Sequence, residues 1–208
     1  MDIRRDFYLE KLIKRKSNGL IKVITGIRRC GKSYLLNNIF YHHLLDSGVE
    51  ADHIIRFAFD SADDLYLIGE SLIQIEKEKR GADPEKFMAY IRSKTTGEGI
   101  YYLLLDEIQM LDCFEAVLNG YLRKENIDVF VTGSNAKLLS KDIATEFAGR
   151  GDEIHMYPLS FAEFMSVYNG DKYTGLSEYM LYGGIPLVVL RDGAGDKATA
   201  LQNLFNEI

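Results

Sequence analysis

The sequence has few residues of the kinds that build disulfide frameworks and zinc sites. Its 208 residues include four histidines and only two cysteines, Cys30 and Cys113, which stand far apart. Two distant cysteines predict no disulfide framework and favour a reducing compartment. The histidines do not fall at zinc-site spacing with other ligands, since the adjacent His42 and His43 cannot share one face of a helix.

Long apolar runs and an excess of positive charge are also missing. No stretch reaches about 18 consecutive apolar residues, which argues against a membrane span. The first residues are charged and no apolar signal-peptide region follows them. Together with the cysteine content, these absences predict a cytoplasmic protein. The net charge of -6 gives no overall reason to expect nucleic acid as a partner.

One local exception to this charge balance is the basic stretch 3–16, "IRRDFYLEKLIKRK". Read as a helix, it gathers its apolar residues mostly along one side, namely Ile3, Phe7, Leu9, Leu12 and Ile13. The Lys and Arg side chains are then expected to form a solvated basic face. A nucleic-acid partner for this face is left open.

Short apolar runs alternate along the chain with stretches of helical pattern. Strands are expected at Leu20–Thr25, Ile54–Phe59, Ile100–Leu105, Ile127–Thr132 and Glu153–Tyr157. Helices are expected at Lys32–Leu45, Leu65–Lys79, Pro84–Lys94 and Phe114–Lys124. Nearly all-apolar strands are typical of a sheet that is covered on both faces. The alternation therefore predicts an α/β fold with a parallel sheet and right-handed crossovers.

The pattern changes after Pro158. Ser160 and Glu163 have the spacing of a helix capping box, and a later helical pattern stops at Gly183-Gly184. We expect residues 1–158, with the N-terminal helix, to form the main domain and residues 159–208 to form a helical extension. The last residues look helical and no stop signal follows, so the sequence is expected to be the N-terminal part of a longer protein.

The segment Gly26–Ser33, "GIRRCGKS", has the spacing G-x-x-x-x-G-K-[ST] between an apolar strand and a helix. The two glycines allow main-chain N–H groups to converge on phosphate oxygens. Lys32 can reach the β- and γ-phosphates, and the Ser33 hydroxyl can ligate Mg²⁺. The helix that begins near Lys32 points its positive end at the anion. The predicted nucleotide-binding residues are Gly26, Ile27, Arg28, Arg29, Cys30, Gly31, Lys32, Ser33 and Tyr34.

Two features of this segment allow alternatives. Arg28 and Arg29 are either solvated or add positive charge near the phosphates. Cys30 is interpreted as a small filler rather than a redox switch.

A pair of carboxylates, Asp106 and Glu107, follows the apolar run "YYLLL". Ligands of open α/β sheets bind at the carboxyl ends of strands. Asp106 could hold Mg²⁺ there through a water, because Mg²⁺ keeps much of its hydration. Glu107 could polarise an attacking water, which suits hydrolysis of a γ-phosphate.

Three further polar residues are weaker candidates. Asn135, in the polar cluster after the strand Ile127–Thr132, could hydrogen-bond the attacking water or the γ-phosphate, or it could be an ordinary turn residue. Arg150, between two glycines, is either a surface residue or an arginine that reaches a γ-phosphate in its own or a neighbouring subunit. Asp60 ends another strand and is more readily explained as a turn residue.

The blocks "GIRRCGKS", "LLLDEIQ", "VTGSN", "AGR", "PLSFAEF" and "YGGIP" occur in this order along nearly the whole chain. Together they resemble the AAA+ branch of P-loop ATPases, and more narrowly a bacterial and archaeal group of AAA-type ATPases. The resemblance implies an ASCE-type P-loop NTPase fold, a three-layer αβα arrangement whose five-stranded parallel sheet has the order 5-1-4-3-2. It implies a sensor role for Asn135, an arginine-finger or sensor role for Arg150, and ATP rather than another nucleotide. It also implies a further nuclease-like C-terminal domain, absent from this sequence.

These residues and the resemblance together imply an ATPase that uses ATP and Mg²⁺, with Lys32, Glu107, Asn135 and Arg150 as its catalytic residues. ATP hydrolysis would change domain packing or self-association. The alternative is a nucleotide-gated DNA- or protein-binding module with little or no hydrolysis. A kinase is disfavoured because a water-directing carboxylate is a liability for a transferase, and a GTPase is disfavoured because "NAKL" at 135–138 lacks the aspartate of N-K-x-D.

Overall fold

The computed structural model describes residues 3–133 and 149–206, and its centre is a parallel sheet. The strands are β1 (Ile21–Gly26), β2 (Ile54–Ala58), β3 (Tyr101–Asp106), β4 (Ile127–Thr132) and β5 (Gly151–Met156). Their order is β2-β3-β4-β1-β5, and every neighbouring pair is parallel. Read from the other edge, this is the predicted order 5-1-4-3-2, which is therefore confirmed.

Helices precede, connect and follow these strands. Before β4 they are α1 (Asp6–Arg15), α2 (Lys32–Tyr34), a π-helical segment (Leu35–Phe40), α3 (Tyr41–Asp46), α4 (Ala62–Leu67), α5 (Leu72–Glu78), α6 (Pro84–Lys94) and α7 (Phe114–Tyr121). After β5 they are α8 (Phe161–Met165), α9 (Lys172–Tyr182), α10 (Pro186–Val189) and α11 (Ala194–Asn206). Within the two described ranges, none of them combines the length and apolar character needed to cross a membrane. The division of the chain at residue 158 stays a prediction.

The sheet has a separate apolar core on each face. Alternate residues of β3 point to opposite faces, so Leu103 and Leu105 pack with α4 to α7. Tyr102 and Leu104 pack on the other face with α1, the π-helical segment and α3. This double coverage explains the nearly all-apolar strands and confirms the three-layer αβα arrangement.

The predicted helix Leu65–Lys79 is wrong as a single element, because the chain breaks it into α4 and α5. Gly69 adopts a left-handed conformation with φ +69°, and the Glu70 N–H donates to Leu65 O at 2.9 Å, which closes the end of α4. The buried Glu70 carboxylate then pairs with Lys86 and, at 2.6 Å, with Arg80. These ion pairs stabilise a turn that the apolar pattern alone did not predict.

The N-terminal helix also differs from its prediction. Tyr8 and Leu12 are buried as its inner side, but Phe7 is 61% exposed. Arg5, which precedes the helix, is only 3% exposed instead of belonging to a solvated basic face. A buried arginine implies specific partners, because an unpaired buried charge is costly.

A buried ion pair joins β1 and β4 at their amino ends. The Lys22 side chain is fully buried, and its ammonium contacts the Asp128 carboxylate and donates to Leu20 O at 2.7 Å. Burial lowers the pKa of Lys22, and the bond to Asp128 opposes that shift. Asp128 also accepts from the Ser17 N–H at 2.8 Å.

We expect Lys22→Met to lower the free energy of unfolding by about 3–5 kcal/mol, since it leaves Asp128 as an unpaired buried charge. The double variant Lys22→Met/Asp128→Asn should recover a large part of this loss, because the charge is gone while the amide oxygen still accepts from Ser17. Urea unfolding measures both. A double variant less stable than Lys22→Met would contradict the assignment of the cost to the unpaired carboxylate.

Candidate functional site

The segment that follows β1 leaves the sheet where β1 and β5 lie very close together. Gly26 has φ +140°, and a Cβ placed there would lie 2.1 Å from the Met156 carbonyl oxygen. Gly31, with φ +99°, gives the left-handed turn just before α2. Both glycines of the G-x-x-x-x-G-K-[ST] pattern are therefore required by the backbone.

Lys32 folds back over the loop that precedes it. Its ammonium donates to the carbonyl oxygens of Gly26 and Ile27, both at 3.0 Å, and the residue is 4% exposed. Cys30 is fully buried, with its Sγ 3.6 Å from the Met156 carbonyl oxygen. Burial raises the pKa of the Cys30 thiol, which disfavours a reactive thiolate and agrees with its interpretation as a filler.

Ser33 of α2 contacts Asp106, the last residue of β3. The Ser33 hydroxyl donates to Asp106 Oδ1 at 3.0 Å, and the Thr132 hydroxyl at the end of β4 contacts the same oxygen. The Asn37 side-chain amide donates to Asp106 Oδ2 at 3.1 Å. Both carboxylate oxygens are thus oriented by neighbours from the helix after the loop and from the next strand.

Asp106 is buried, at 5% exposure. Burial raises its pKa, and the nearby Glu107 and Asp60 carboxylates act in the same direction. The hydrogen bonds from Thr132 and Ser33 oppose this shift because they favour the charged form. The result is a concentration of negative charge that a cation would relieve.

Glu107 lies beside Asp106 and lines the cleft above the loop. Its backbone adopts the left-handed region, with φ 51°, and its N–H donates to the Thr132 hydroxyl at 3.3 Å. The Gln109 side-chain amide donates to one of its carboxylate oxygens. The cleft has a volume of about 570 Å³ and is lined by Arg28, Arg29, Ser33, Asp60, Glu107, Gln109 and Met110.

The donor set around Asp106 suits a hydrated Mg²⁺ ion. It offers hydroxyl and carboxylate oxygens, which are the ligands that this cation prefers. Two buried amide oxygens, Asn37 Oδ1 and Gln109 Oε1, have no hydrogen-bond partner within the described ranges. Each belongs to an amide whose nitrogen bonds one of the two carboxylates.

The structure does not bring every predicted residue to this cleft. Arg150 precedes β5 and lies at the amino ends of the strands, whereas the cleft lies at their carboxyl ends. Its carbonyl accepts from the Ile21 N–H, and its guanidinium bonds Asn119 at 3.2 Å. Asn135 lies outside the described residues. Asp60, the weakest sequence candidate, does line the cleft.

Asn37 is a site residue that the sequence argument missed. It lies four residues after Ser33, a spacing that puts two side chains on one side of a helix and could have identified it. Asn37 belongs to the π-helical segment Leu35–Phe40, which lies between α2 and α3. Such segments occur frequently at functional sites.

A family model described as "AAA domain" matches residues 18–165, which span the loop, the acidic pair and all five strands. The chain belongs to this AAA domain family. The resemblance to AAA+ P-loop ATPases is thereby confirmed, and the AAA domain is a nucleotide-binding, AAA+-like protein.

Two curated relatives extend beyond this AAA domain. An uncharacterized protein of Haemophilus influenzae is 36% identical over 212 residues, covering 99% of the chain and 49% of that relative. An uncharacterized protein of Methanocaldococcus jannaschii is 31% identical, covering 99% of the chain and 43% of that relative. The chain thus spans about half the length of the curated relatives it matches.

Solved structures share the fold at low sequence identity. AMPPCP-bound DnaA from Aquifex aeolicus has a TM-score of 0.52 and 15% identity, with 94% of this chain and 63% of that chain covered. Hsp104 of S. cerevisiae has a TM-score of 0.53 and 17% identity, with 87% and 31% covered. These likenesses confirm the AAA+ architecture and nothing finer.

We expect Asp106→Asn to raise the melting temperature at pH 7 by about 2–4 °C, the shift that about 1 kcal/mol gives a protein of this size. Because burial raises the folded-state pKa of Asp106, its charge costs stability above the unfolded value of about 3.9, and asparagine removes that cost. The buried Asn37 oxygen can accept from the new amide.

The pH dependence separates this explanation from a general packing effect. The gain in melting temperature should shrink as the pH falls through the raised folded-state pKa towards about 3.9, below which Asp106 is protonated in both states. Thermal unfolding at several pH values measures it. A loss of stability at pH 7, or a gain independent of pH, would contradict a destabilising buried charge.

Proposed function

We propose that the AAA domain binds ATP with Mg²⁺ and hydrolyses it, and that the nucleotide state changes its conformation or its assembly. The observation that carries this proposal is the 3.0 Å hydrogen bond from Ser33 to Asp106. It joins the loop with phosphate-binding spacing to a strand-end carboxylate, so one cation could contact both and the phosphates together.

Binding is assigned to the loop and its first helical residues. The backbone N–H groups of Gly26–Ser33 and the Lys32 ammonium would hold the β- and γ-phosphates, exchanging the present Lys32 contacts with loop carbonyls for phosphate oxygens. Arg28 and Arg29 line the same cleft and would add positive charge. Ser33 and Asp106 would hold Mg²⁺, which when bound neutralises phosphate charge.

Hydrolysis is assigned to Glu107. Its carboxylate lines the cleft beside Ser33 and is oriented by Gln109. It would accept a proton from the attacking water and aim that water at the γ-phosphate. We keep Asn135 as a candidate for positioning this water. Arg150 lies at the amino ends of the strands, away from the cleft at their carboxyl ends, so a catalytic role would require it to act on a neighbouring subunit.

The assignment of adenine comes from the family resemblance and from the AMPPCP-bound DnaA structure. GTP is the alternative nucleotide for this site. Equal affinity for MgATP and MgGTP would remove ATP as the specific substrate while leaving the phosphate site in place.

We expect Glu107→Gln to retain MgATP binding and to lower the rate of phosphate release by about 100-fold or more, the contribution of a general base. The amide keeps the size of the side chain and can still accept from Gln109, but it cannot take the proton. Single-turnover phosphate release, with nucleotide affinity measured separately by calorimetry, tests this. Unchanged release would remove Glu107 from the role.

Lys32→Ala provides the contrasting variant. It should weaken MgATP binding by about 10-fold or more, because a charge-assisted hydrogen bond to phosphate is lost. Asp60→Asn, a change in the same cleft without an assigned role in binding phosphate, is its matched control and should bind nearly as the parent does. Equal affinity in all three proteins would contradict the loop assignment.

A second candidate function is a nucleotide-gated DNA- or protein-binding module. The exposed basic side chains of α1 favour the DNA version, since Lys14 is 78% exposed. The Aeropyrum pernix ORC1 structure, with a TM-score of 0.50 and 13% identity over 86% of this chain and 50% of that chain, was solved in complex with DNA.

Retention on duplex DNA, measured across a salt series with and without MgATP, tests this candidate. Nucleotide-dependent retention that falls steeply with salt, accompanied by slow turnover, would favour it over an ATPase. Absence of retention at low salt would count against DNA as the partner.

A further inference from the structure

We propose that Arg5 couples the phosphate loop to the helical extension, so that nucleotide binding at the loop alters the extension. The extension is taken as residues 159–206. This inference rests on the proposed nucleotide site and names one residue that would transmit its state. Arg5 acts as a positioning residue, since it touches the loop backbone rather than the site of hydrolysis.

The Arg5 guanidinium contacts the loop directly. Its Nη1 donates to the Cys30 carbonyl oxygen at 3.1 Å, one residue before Gly31 and two before Lys32. The Cys30 thiol packs against the Met156 carbonyl, so the loop at Cys30 lies between that carbonyl and Arg5. A displacement of the loop backbone at Cys30 would change a contact of Arg5.

The same guanidinium contacts the extension. Glu163 Oε1 lies 2.9 Å from Arg5 Nε, as an ion pair without the alignment of a hydrogen bond. The other Glu163 oxygen accepts from the Ser160 N–H at 2.8 Å and from its hydroxyl at 2.9 Å, which caps the first turn of α8. One carboxylate thus joins Arg5 to the start of the extension.

Further contacts hold the Arg5 guanidinium in one orientation. Its Nη2 donates to Tyr157 O at 2.7 Å, and its guanidinium lies 4.7 Å from the centre of the Tyr8 ring. The Tyr8 hydroxyl accepts from the Tyr157 N–H at 3.0 Å. A planar guanidinium can serve several acceptors at once in a fixed geometry, whereas the ammonium of lysine cannot reproduce the fork.

The extension also lies near the loop at a second place. Within the extension, the Leu159 N–H donates to Gly184 O at 2.7 Å, and a Cβ on Gly184 would lie 2.2 Å from Leu159 O. Shortly after Gly184, the Pro186 ring lies 3.9 Å from the position that a Cβ of Gly31 would take. Arg5 therefore contacts the extension, and Pro186 of the extension lies near Gly31 of the loop.

Because coupling between two sites is reciprocal, an extension that stabilises one loop conformation must also change nucleotide affinity. Arg5 is buried at 3% exposure and Glu163 is largely shielded, so their interaction is little screened by solvent. Loss of the Arg5 contacts should therefore lower nucleotide affinity and disconnect the extension from the bound state.

Hydrogen exchange of amides 159–190, measured with and without AMPPCP and Mg²⁺, tests the coupling. In the parent chain we expect nucleotide to change the exchange protection of this segment. Arg5→Lys should abolish that change and weaken AMPPCP binding by about 5-fold or more, within the usual range of coupling between sites. Arg4→Lys, an exposed neighbour, is the matched control and should behave as the parent does.

Glu163→Gln separates coupling from folding. Glutamine retains a capping box, so α8 should stay formed while the charge facing Arg5 is lost. This variant should reproduce the loss of the nucleotide-dependent change, and combining it with Arg5→Lys should add little. If Arg5→Lys fails to fold, Glu163→Gln carries the test.

The outcomes distinguish this inference from the proposed function. A parent chain that does not bind AMPPCP would overturn the nucleotide site and, with it, the coupling. Binding without any change in the exchange of 159–190 would overturn the coupling alone. The same holds for a nucleotide-dependent change that persists in both Arg5→Lys and Glu163→Gln.

Discussion

The close approach of β1 and β5 at Gly26 is the constraint on which the site depends. With the Met156 carbonyl oxygen 2.1 Å from the position of a Cβ, only glycine can end β1 there, and the chain must leave the sheet in a tight loop. Cys30 packs against the same carbonyl, and Lys32 bonds back to Gly26. The loop is therefore shaped by the sheet before any ligand binds, which lowers the entropic cost of binding.

The acidic side of the cleft follows from the parallel order of the strands. Because β3 and β4 end at the same edge, Asp106 and Thr132 meet, and Ser33 reaches them from the helix that follows the loop. Burial raises the pKa of Asp106, so the arrangement carries a stability cost that structures often accept at functional sites. Arg5 places a positive charge beside the loop, where it contacts Cys30 of the loop, Tyr157 after β5, and Glu163 of the extension.

Much of this site could be predicted from the sequence because its signals are local. The loop spacing and the strand-end position of Asp106 each lie within a few residues, and the apolar runs gave the strands to within two residues. The partners of buried polar groups were not predictable, since the contact of Arg5 with Tyr157 joins residues 152 positions apart. The break at Gly69 was missed because Glu70 finds its partners only in the folded chain.

Paramagnetic relaxation by Mn²⁺ bound with ATP tests the central claim most directly, since it locates the cation in the folded chain. The account predicts the strongest broadening of amide signals at Ser33 and Asp106, with weaker effects along Gly26–Gly31, and its removal by excess Mg²⁺. Strongest broadening at the cluster of Glu50, Asp52 and His53 would contradict it, as would broadening that does not depend on ATP.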